Sequence, residues 1–313
     1  MFIIIAGIAL AQDGYTPMKL AVHYSHAAAD LLARGQIAVD YFKCPAWPDL
    51  VPRARRLRPV YVHFDLVVGQ GRGVVTDGAG RAVAEWGAID ALLAQTDTPF
   101  VNVHLAPRPR DYPDLPGDSA RPADGARVAE ALIRDLRPLV ARFGPGRVIV
   151  ENEPYHPGLA LRPACEPAVI RAVVEEVGCG LLLDLSHARI SARALGVDPW
   201  AYLGALPLAR TRELHLTGLQ VFDARWDAYL RGKGADTAPL APYLGRWLDH
   251  LPLTEADWAF TARALARAGG GAWGRPWVVA LEYGGVGPIW EESTDAVVLR
   301  EQLSRLHGLV RAH

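Results

Sequence analysis

The chain has 313 residues, half of them hydrophobic and about a fifth charged, a balance that supplies a large core and suits a globular protein. With 33 basic residues against 34 acidic ones the formal charge is −1, which argues against binding nucleic acid or an anionic membrane by bulk attraction. Cys44, Cys165 and Cys179 are odd in number and widely spaced, so neither a disulfide framework nor a CxxC zinc site fits, and any metal must use oxygen and nitrogen ligands.

In chain order, residues 1–17 come first, MFIIIAGIALAQDGYTP, an apolar stretch ending in Ala-Leu-Ala with no basic residue ahead of it. A secretory signal needs that basic start, so the segment reads as a mis-assigned start ahead of Met18, or as a weak signal-like stretch, with one domain over 18–313. No other run is apolar for long enough to span a bilayer, and the protein is expected in the cytoplasm. From Lys19 on, short apolar or β-branched runs alternate with longer amphipathic ones. The strand candidates are KLAVHYS from 19, IAVDYFKC from 37, PVYVHFDL from 59, FVNVHLAP from 100, RVIVENEP from 147, GLLLDLSH from 180, RELHLTG from 212 and WVVALEYGG from 277. The clearest helices are 126–144, 166–178 and 295–312; in the second, Val169, Ala172 and Val173 recur at the spacing of one buried face.

Eight strands, each followed by a helix, predict an α/β fold of the (β/α)8 TIM-barrel kind. No GxGxxG follows the first strand, which disfavours a dinucleotide-binding sheet. Residues 221–246, which interrupt the last units with Gly, Pro and a Trp, are expected to be a long inserted loop that acts as a lid or docks a partner.

Barrel enzymes draw their catalytic groups from the C-terminal ends of several strands. Here those ends carry His63, His104, Glu151, Asp184 with His187, His215 and Glu282, and the segment before a later helix adds His250 beside Asp249. Each alone is weak evidence: a strand-end His is commonly a satisfied polar residue, and an Asp or Glu there commonly caps the next helix. Together, at one crowded mouth, they would be costly without a cation. Leu181, Leu182 and Leu183 read as a strand buried on both faces, with Asp184 ending it at the metal and His187 joining the same pole only if the chain bends into a loop. Imidazole and carboxylate without thiolate fit Zn, Mn or non-haem Fe. Eight ligands are too many for one ion, so two or three metals bridged by Glu151 and Asp184 is the economical reading.

This spaced set resembles that of the xylose-isomerase-like TIM-barrel superfamily. Within it, the pattern resembles both endonuclease IV and the multinuclear non-haem iron-dependent oxidases (MbnB/TglH-like) that modify cysteines of ribosomally made precursor peptides. ELHLTG, a downstream Asp-His followed by Pro and then Trp258, and LEYGG resemble the oxidases more than the nuclease. The resemblance implies one metal on Glu151, Asp184, His215 and Glu282, a second on His63, His104 and Glu151, and a third on His187 and His250. One departure bears on the third: the acid that those families place two residues before the histidine is Leu248 here, with Asp249 adjacent instead. The resemblance further implies iron as the metal, Glu151, Asp184 and His187 as catalytic residues, a peptide cysteine or other thiol as substrate, and a separate leader-peptide-binding partner protein.

Three other readings use the same residues. Zinc or manganese would support phosphodiester hydrolysis, of a small nucleotide-like diester more readily than of DNA, given the neutral charge. A mononuclear site on Glu151, Asp184, His215 and Glu282 would support sugar or keto-acid isomerisation, leaving His63 and His104 surplus. A non-enzymatic barrel would dock a partner through Trp226, Tyr229, Tyr243 and Trp247. Among other residues, Lys43 is expected either to clamp a substrate anion or to pair with Asp40 or Asp65. Asn102 and Asn152 are expected to hydrogen-bond the ligands, and His23 and His26 at most to line the pocket. GGVGP at 284–288 lacks the Lys and Ser/Thr of a phosphate loop.

Overall fold

The computed structural model describes residues 18–76 and 83–312, so the segment set apart before Met18 lies outside the described residues. Eight parallel strands run around the molecule: β1 (Lys19–His23), β2 (Tyr41–Pro45), β3 (Val60–His63), β4 (Val101–Leu105), β5 (Val148–Glu151), β6 (Gly180–Asp184), β7 (Thr211–Leu216) and β8 (Val278–Leu281). They neighbour one another in the order β3, β2, β1, β8, β7, β6, β5, β4. The two ends meet through the chain itself. A short strand, Leu66–Val68, leaves β3 after two residues and pairs in parallel with β4, Val67 opposite His104 and Val68 opposite Leu105. Where that junction interrupts the ladder, the Asn102 side chain takes its place: Phe64 N–H donates to Oδ1 (2.7 Å) and Nδ2 donates to the Phe64 carbonyl (2.9 Å). Asn102 thus closes the barrel that the strand pattern predicted.

Strand alternation sorts the residues into two shells. Leu20, Val22, Phe42, Val60, Val62, Val103, Val150, Leu181, Leu183, Leu214 and Val279 join the main apolar core with residues of the surrounding helices. Their neighbours on the opposite face point into the barrel, where Ala21, Tyr61, Val278 and Ala280 form a separate cluster with Tyr41 and Trp277. Two residues further along each strand, on that same inner face, stand His23, Lys43, His63, His104, Glu151, Asp184, His215 and, one step past β8, Glu282. The register sets three neighbours level, His23 opposite Lys43, His104 opposite Glu151 and Asp184 opposite His215. It steps by two residues at other joins, where Lys43 faces Tyr61, Glu151 faces Leu182 and His215 faces Ala280, the stagger a closed barrel requires.

The predicted helices are present as Pro122–Phe143, Pro167–Val177 and Ala296–Arg311. Among the described residues no helix is long and apolar enough to cross a membrane. The expectation for 221–246 needs correction, because the stretch is not a structureless loop. An antiparallel strand pair, Gly218–Val221 with Trp247–Leu251, carries a helix, Ala224–Gly232, whose first N–H groups, of Arg225 and Trp226, donate to the Asp223 side chain. Phe222, Leu230, Ala235, Leu240, Leu248 and Leu251 give this insertion a small core of its own. Gly232 ends the helix, and Gly234, Pro239, Pro242 and Gly245 lie between it and the second strand. Gly218 is required by contact: a Cβ there would lie 2.0 Å from the Pro252 carbonyl oxygen.

Candidate metal centre

The inner-face residues converge at the C-terminal mouth as three overlapping groups, each with its ligand atoms within 4.8 Å of one another. His63, His104 and Glu151 form the first, Glu151, Asp184 and His187 the second, and Asp184, His215 and Glu282 the third. Glu151 and Asp184 are the shared members. Glu151 Oε2 is 3.4 Å from both His63 Nε2 and His104 Nδ1, while Oε1 is 3.5 Å from His215 Nδ1 and 3.7 Å from His187 Nδ1. Glu282 Oε1 lies 3.2 Å from His215 Nδ1 and 3.5 Å from His23 Nε2, and it pairs with Lys43.

His187 reaches this pole without a loop. Asp184 ends β6 and caps the helix Leu185–Leu195, its Oδ1 accepting from Ser186 N–H (2.6 Å) and His187 N–H (2.8 Å), so His187 sits in the first helical turn beside it. The bend expected after Asp184 is therefore a helix start. Capping uses one carboxylate oxygen only. Asp184 Oδ2 and Glu151 Oε2 are buried and accept no hydrogen bond. Orphaned acceptors of this kind, inside a cluster of imidazoles and carboxylates, are what a bound cation would satisfy, and the donor set suits Zn, Mn or Fe.

Asp249 and His250 stand apart from the three groups. Asp249 Oδ2 is 2.9 Å from His187 Nε2, whose other nitrogen is 2.9 Å from the Asn152 carbonyl oxygen. His250 Nδ1 is 2.8 Å from the Glu282 carbonyl oxygen, and its ring stacks between His23 (5.6 Å) and Trp290 (5.1 Å). Its φ of 59° makes it the one non-glycine residue with positive φ among those described. Leu248, at the position where an acid was looked for, packs in the core of the insertion. Lys43 is buried and pairs with Glu282, not with Asp40 or Asp65; Asp40 instead accepts from Leu20 N–H and Arg311. Asn152 holds β6 in place through the Asp184 backbone, and His26 pairs with Glu291 away from the ligands. Two carboxylates went unnoticed in the sequence: Glu153 Oε1, 2.7 Å from His104 Nδ1, and Glu213 Oε1, 2.8 Å from His215 Nε2.

The charges are strongly coupled. Burial opposes protonation of His104, but Glu151 and Glu153 outweigh it and lift the imidazole to about 9. Burial is likewise overcome at His215, which Glu282, Glu151 and Glu213 raise to about 10, and at His187, which Asp184, Asp249 and Glu151 hold well above its usual value. His63 falls well below the usual range through burial and the Lys43 charge. Burial would raise both Glu151 and Glu282, yet the surrounding histidines, with Lys43 beside Glu282, hold each well below the carboxylate range. Asp184 goes the other way, up to about 6, because burial prevails over the His187 charge.

Fold and site together define an α/β barrel with metal-ligand side chains clustered at its mouth. A xylose isomerase domain containing protein from Salmonella typhimurium LT2 superposes on 95% of this chain and 100% of its own, with a TM-score of 0.53 at 15% identity. Residues 130–231 match the model of the family described as RiPP precursor modification enzyme MbnB/TglH/ChrH. Relatives in curated collections are named only as UPF0276 proteins. One from Caulobacter vibrioides is 29% identical over 192 residues, 58% of this chain and 59% of the relative. Another, from Paraburkholderia phytofirmans, is 42% identical over 71 residues, 23% of each chain. The chain thus matches less than two thirds of the length of these relatives.

Proposed function

We propose that this chain is a metal-dependent oxidoreductase with two or three non-haem irons at the barrel mouth, acting with dioxygen on a peptide cysteine or another thiol. The observation that carries the reading is the chain of three ligand groups joined by Glu151 and Asp184, each with a buried oxygen that accepts no hydrogen bond. The match of residues 130–231 to a family of precursor-peptide modification enzymes supports the substrate class. His63, His104 and Glu151 would hold one ion, and Asp184, His215 and Glu282, with Glu151, another. His187 would serve a third, beside Asp249 and with only Nε2 of His250 left free by the Glu282 carbonyl. Bound iron supplies redox exchange with dioxygen and a seat for a thiolate.

The side chains do the rest. Lys43 balances the charge of Glu282 at its buried end. His187 donates from Nδ1 to the Asn152 carbonyl and from Nε2 to Asp249 without metal, so a third ion would take Nε2 in place of that proton. The stacked rings of His23, His250 and Trp290 shield Glu282 from water on the side of the insertion. A separate leader-binding protein would present the peptide, and the free, buried Cys44, Cys165 and Cys179 accord with a reducing cytoplasm.

The reading is tested by reconstituting the protein anaerobically with ferrous iron, adding cysteine-containing peptides and admitting dioxygen, with oxygen uptake and peptide mass as readouts. Oxygen-dependent loss of hydrogen or gain of oxygen at the cysteine, absent in His63→Ala and Glu151→Gln, is expected. Uptake of zinc or manganese with phosphodiester cleavage or sugar epimerisation, and no thiol oxidation with iron, would overturn it.

A further inference from the structure

We propose that Glu213 and Glu153 are positioning residues that choose the metal-facing nitrogen of two histidines, and choose oppositely: Nδ1 of His215 and Nε2 of His104. The inference rests on the reading above only in taking both histidines as ligands; it is indifferent to the reaction.

Glu213 precedes His215 by two residues on β7, so both face the barrel interior, Glu213 one layer deeper. Its register partners on the two flanking strands are Leu182 and Val278, and the inner-face residues Ala21, Tyr61 and Ala280 near it form an uncharged cluster with Val278. Glu213 is the acid among them, and it is only 3% exposed. A carboxylate there is costly unless it is engaged. Its Oε1 lies 2.8 Å from His215 Nε2. A carboxylate can only accept, so it keeps a proton on Nε2, and Nδ1 is the nitrogen whose lone pair is freed when a metal displaces the other proton. That nitrogen faces the ligand cluster, 3.2 Å from Glu282 Oε1 and 3.5 Å from Glu151 Oε1.

His104 is arranged the other way round. Its Nδ1 lies 2.7 Å from Glu153 Oε1, two residues beyond Glu151, so the proton is kept on Nδ1. Nδ1 also lies 3.4 Å from Glu151 Oε2, but the nearer Glu153 takes it, and Nε2 is left to the cluster, 3.2 Å from His63 Nε2. Outer carboxylates of this kind fix the ring plane and tautomer and raise the basicity of the ligating nitrogen, and their loss typically lowers metal affinity 10- to 100-fold.

The test uses full-length protein labelled with 15N-histidine and loaded with zinc alone. Long-range proton–nitrogen correlation spectra report which ring nitrogen carries the proton, and calorimetry reports zinc affinity. Wild type is expected to show Nε2–H for His215 and Nδ1–H for His104. Glu213→Ala should lose the His215 signature, weaken zinc binding about 10- to 100-fold and leave His104 unchanged. Glu213→Gln, whose amide oxygen still accepts from Nε2–H, should restore the signature. Glu153→Ala and Glu153→Gln should do the same at His104, and they carry the test if Glu213→Ala does not fold. Unchanged ring signatures in the alanine variants would overturn the proposal. Wild-type signatures as expected, without thiol oxidation by the iron form, would overturn the oxidase reading and leave this one standing.

Discussion

Asp184→Asn separates what this residue does for the fold from what it does for a metal. Asn caps a helix as well as Asp, so the bonds from Ser186 N–H and His187 N–H to Oδ1 can persist. What disappears is a buried negative charge. Burial lifts the Asp184 carboxyl from 3.8 to about 6, so the native state binds a proton more tightly than the unfolded chain does. The sign follows: stability contributed by the protonated form is complete below the unfolded value and falls as pH rises through about 6, leaving the ionised form to cost about 3 kcal/mol above it. Metal-free Asp184→Asn should therefore exceed wild type in stability at pH 8 by up to about 3 kcal/mol, and by little at pH 4. The metal-bound forms should reverse that order, because the orphaned Oδ2 is lost as a ligand. Urea denaturation of wild type and variant, chelator-treated and zinc-loaded, at both pH values measures the eight stabilities compared. Equal stabilisation at pH 4 and pH 8, or an undiminished zinc-induced gain in the variant, would refute the reasoning.

Two further outcomes are expected. His104, raised to about 9, and His215, raised to about 10, are protonated at neutral pH in the metal-free protein, where their charge stabilises the fold until pH climbs through those values. Metal must displace those protons, so zinc affinity should rise from pH 6 to pH 9 with net proton release, read by calorimetry in buffers of different ionisation enthalpy; a pH-independent affinity would contradict this. At His250, glycine and alanine both remove the ring contacts, but only alanine keeps the strain of a φ of 59°. His250→Gly should be the more stable of the two by about 1 kcal/mol in chemical denaturation, and equal stabilities would show that the position is unstrained.

The barrel was legible because two periods coincide on one chain: the strands alternate at period two, and their polar ends repeat around the ring. His63, His104, Glu151, Asp184, His215 and Glu282 could be picked out because each breaks an apolar run at the same relative level. Glu213 carried a usable signal that was passed over: an acid two residues before a strand histidine must share its face. Glu153 gave a weaker one, since it lies beyond the end of β5. The partner of Lys43 was out of reach, because strand spacing fixes a residue's face but not which neighbour it reaches; β1 separates β2 from β8, and Lys43 meets Glu282 across β1 on the concave inner face. The helix start at Leu185 carries its own signal in Asp184, a strong capping residue, which competes with the loop reading of Leu-Ser-His-Ala. The insertion was misread because its Gly and Pro residues outweighed a short amphipathic helix that finds its core in the strands flanking it.

Metal content joined to iron spectroscopy separates an iron cluster at the barrel mouth from any other occupant. Protein purified under low oxygen without added metal, examined by elemental analysis and by Mössbauer and EPR spectroscopy, should carry two or more irons per chain with a mixed-valence signal that His63→Ala and Glu151→Ala abolish. Absence of any metal, or zinc or manganese with no redox-active iron, would contradict the account.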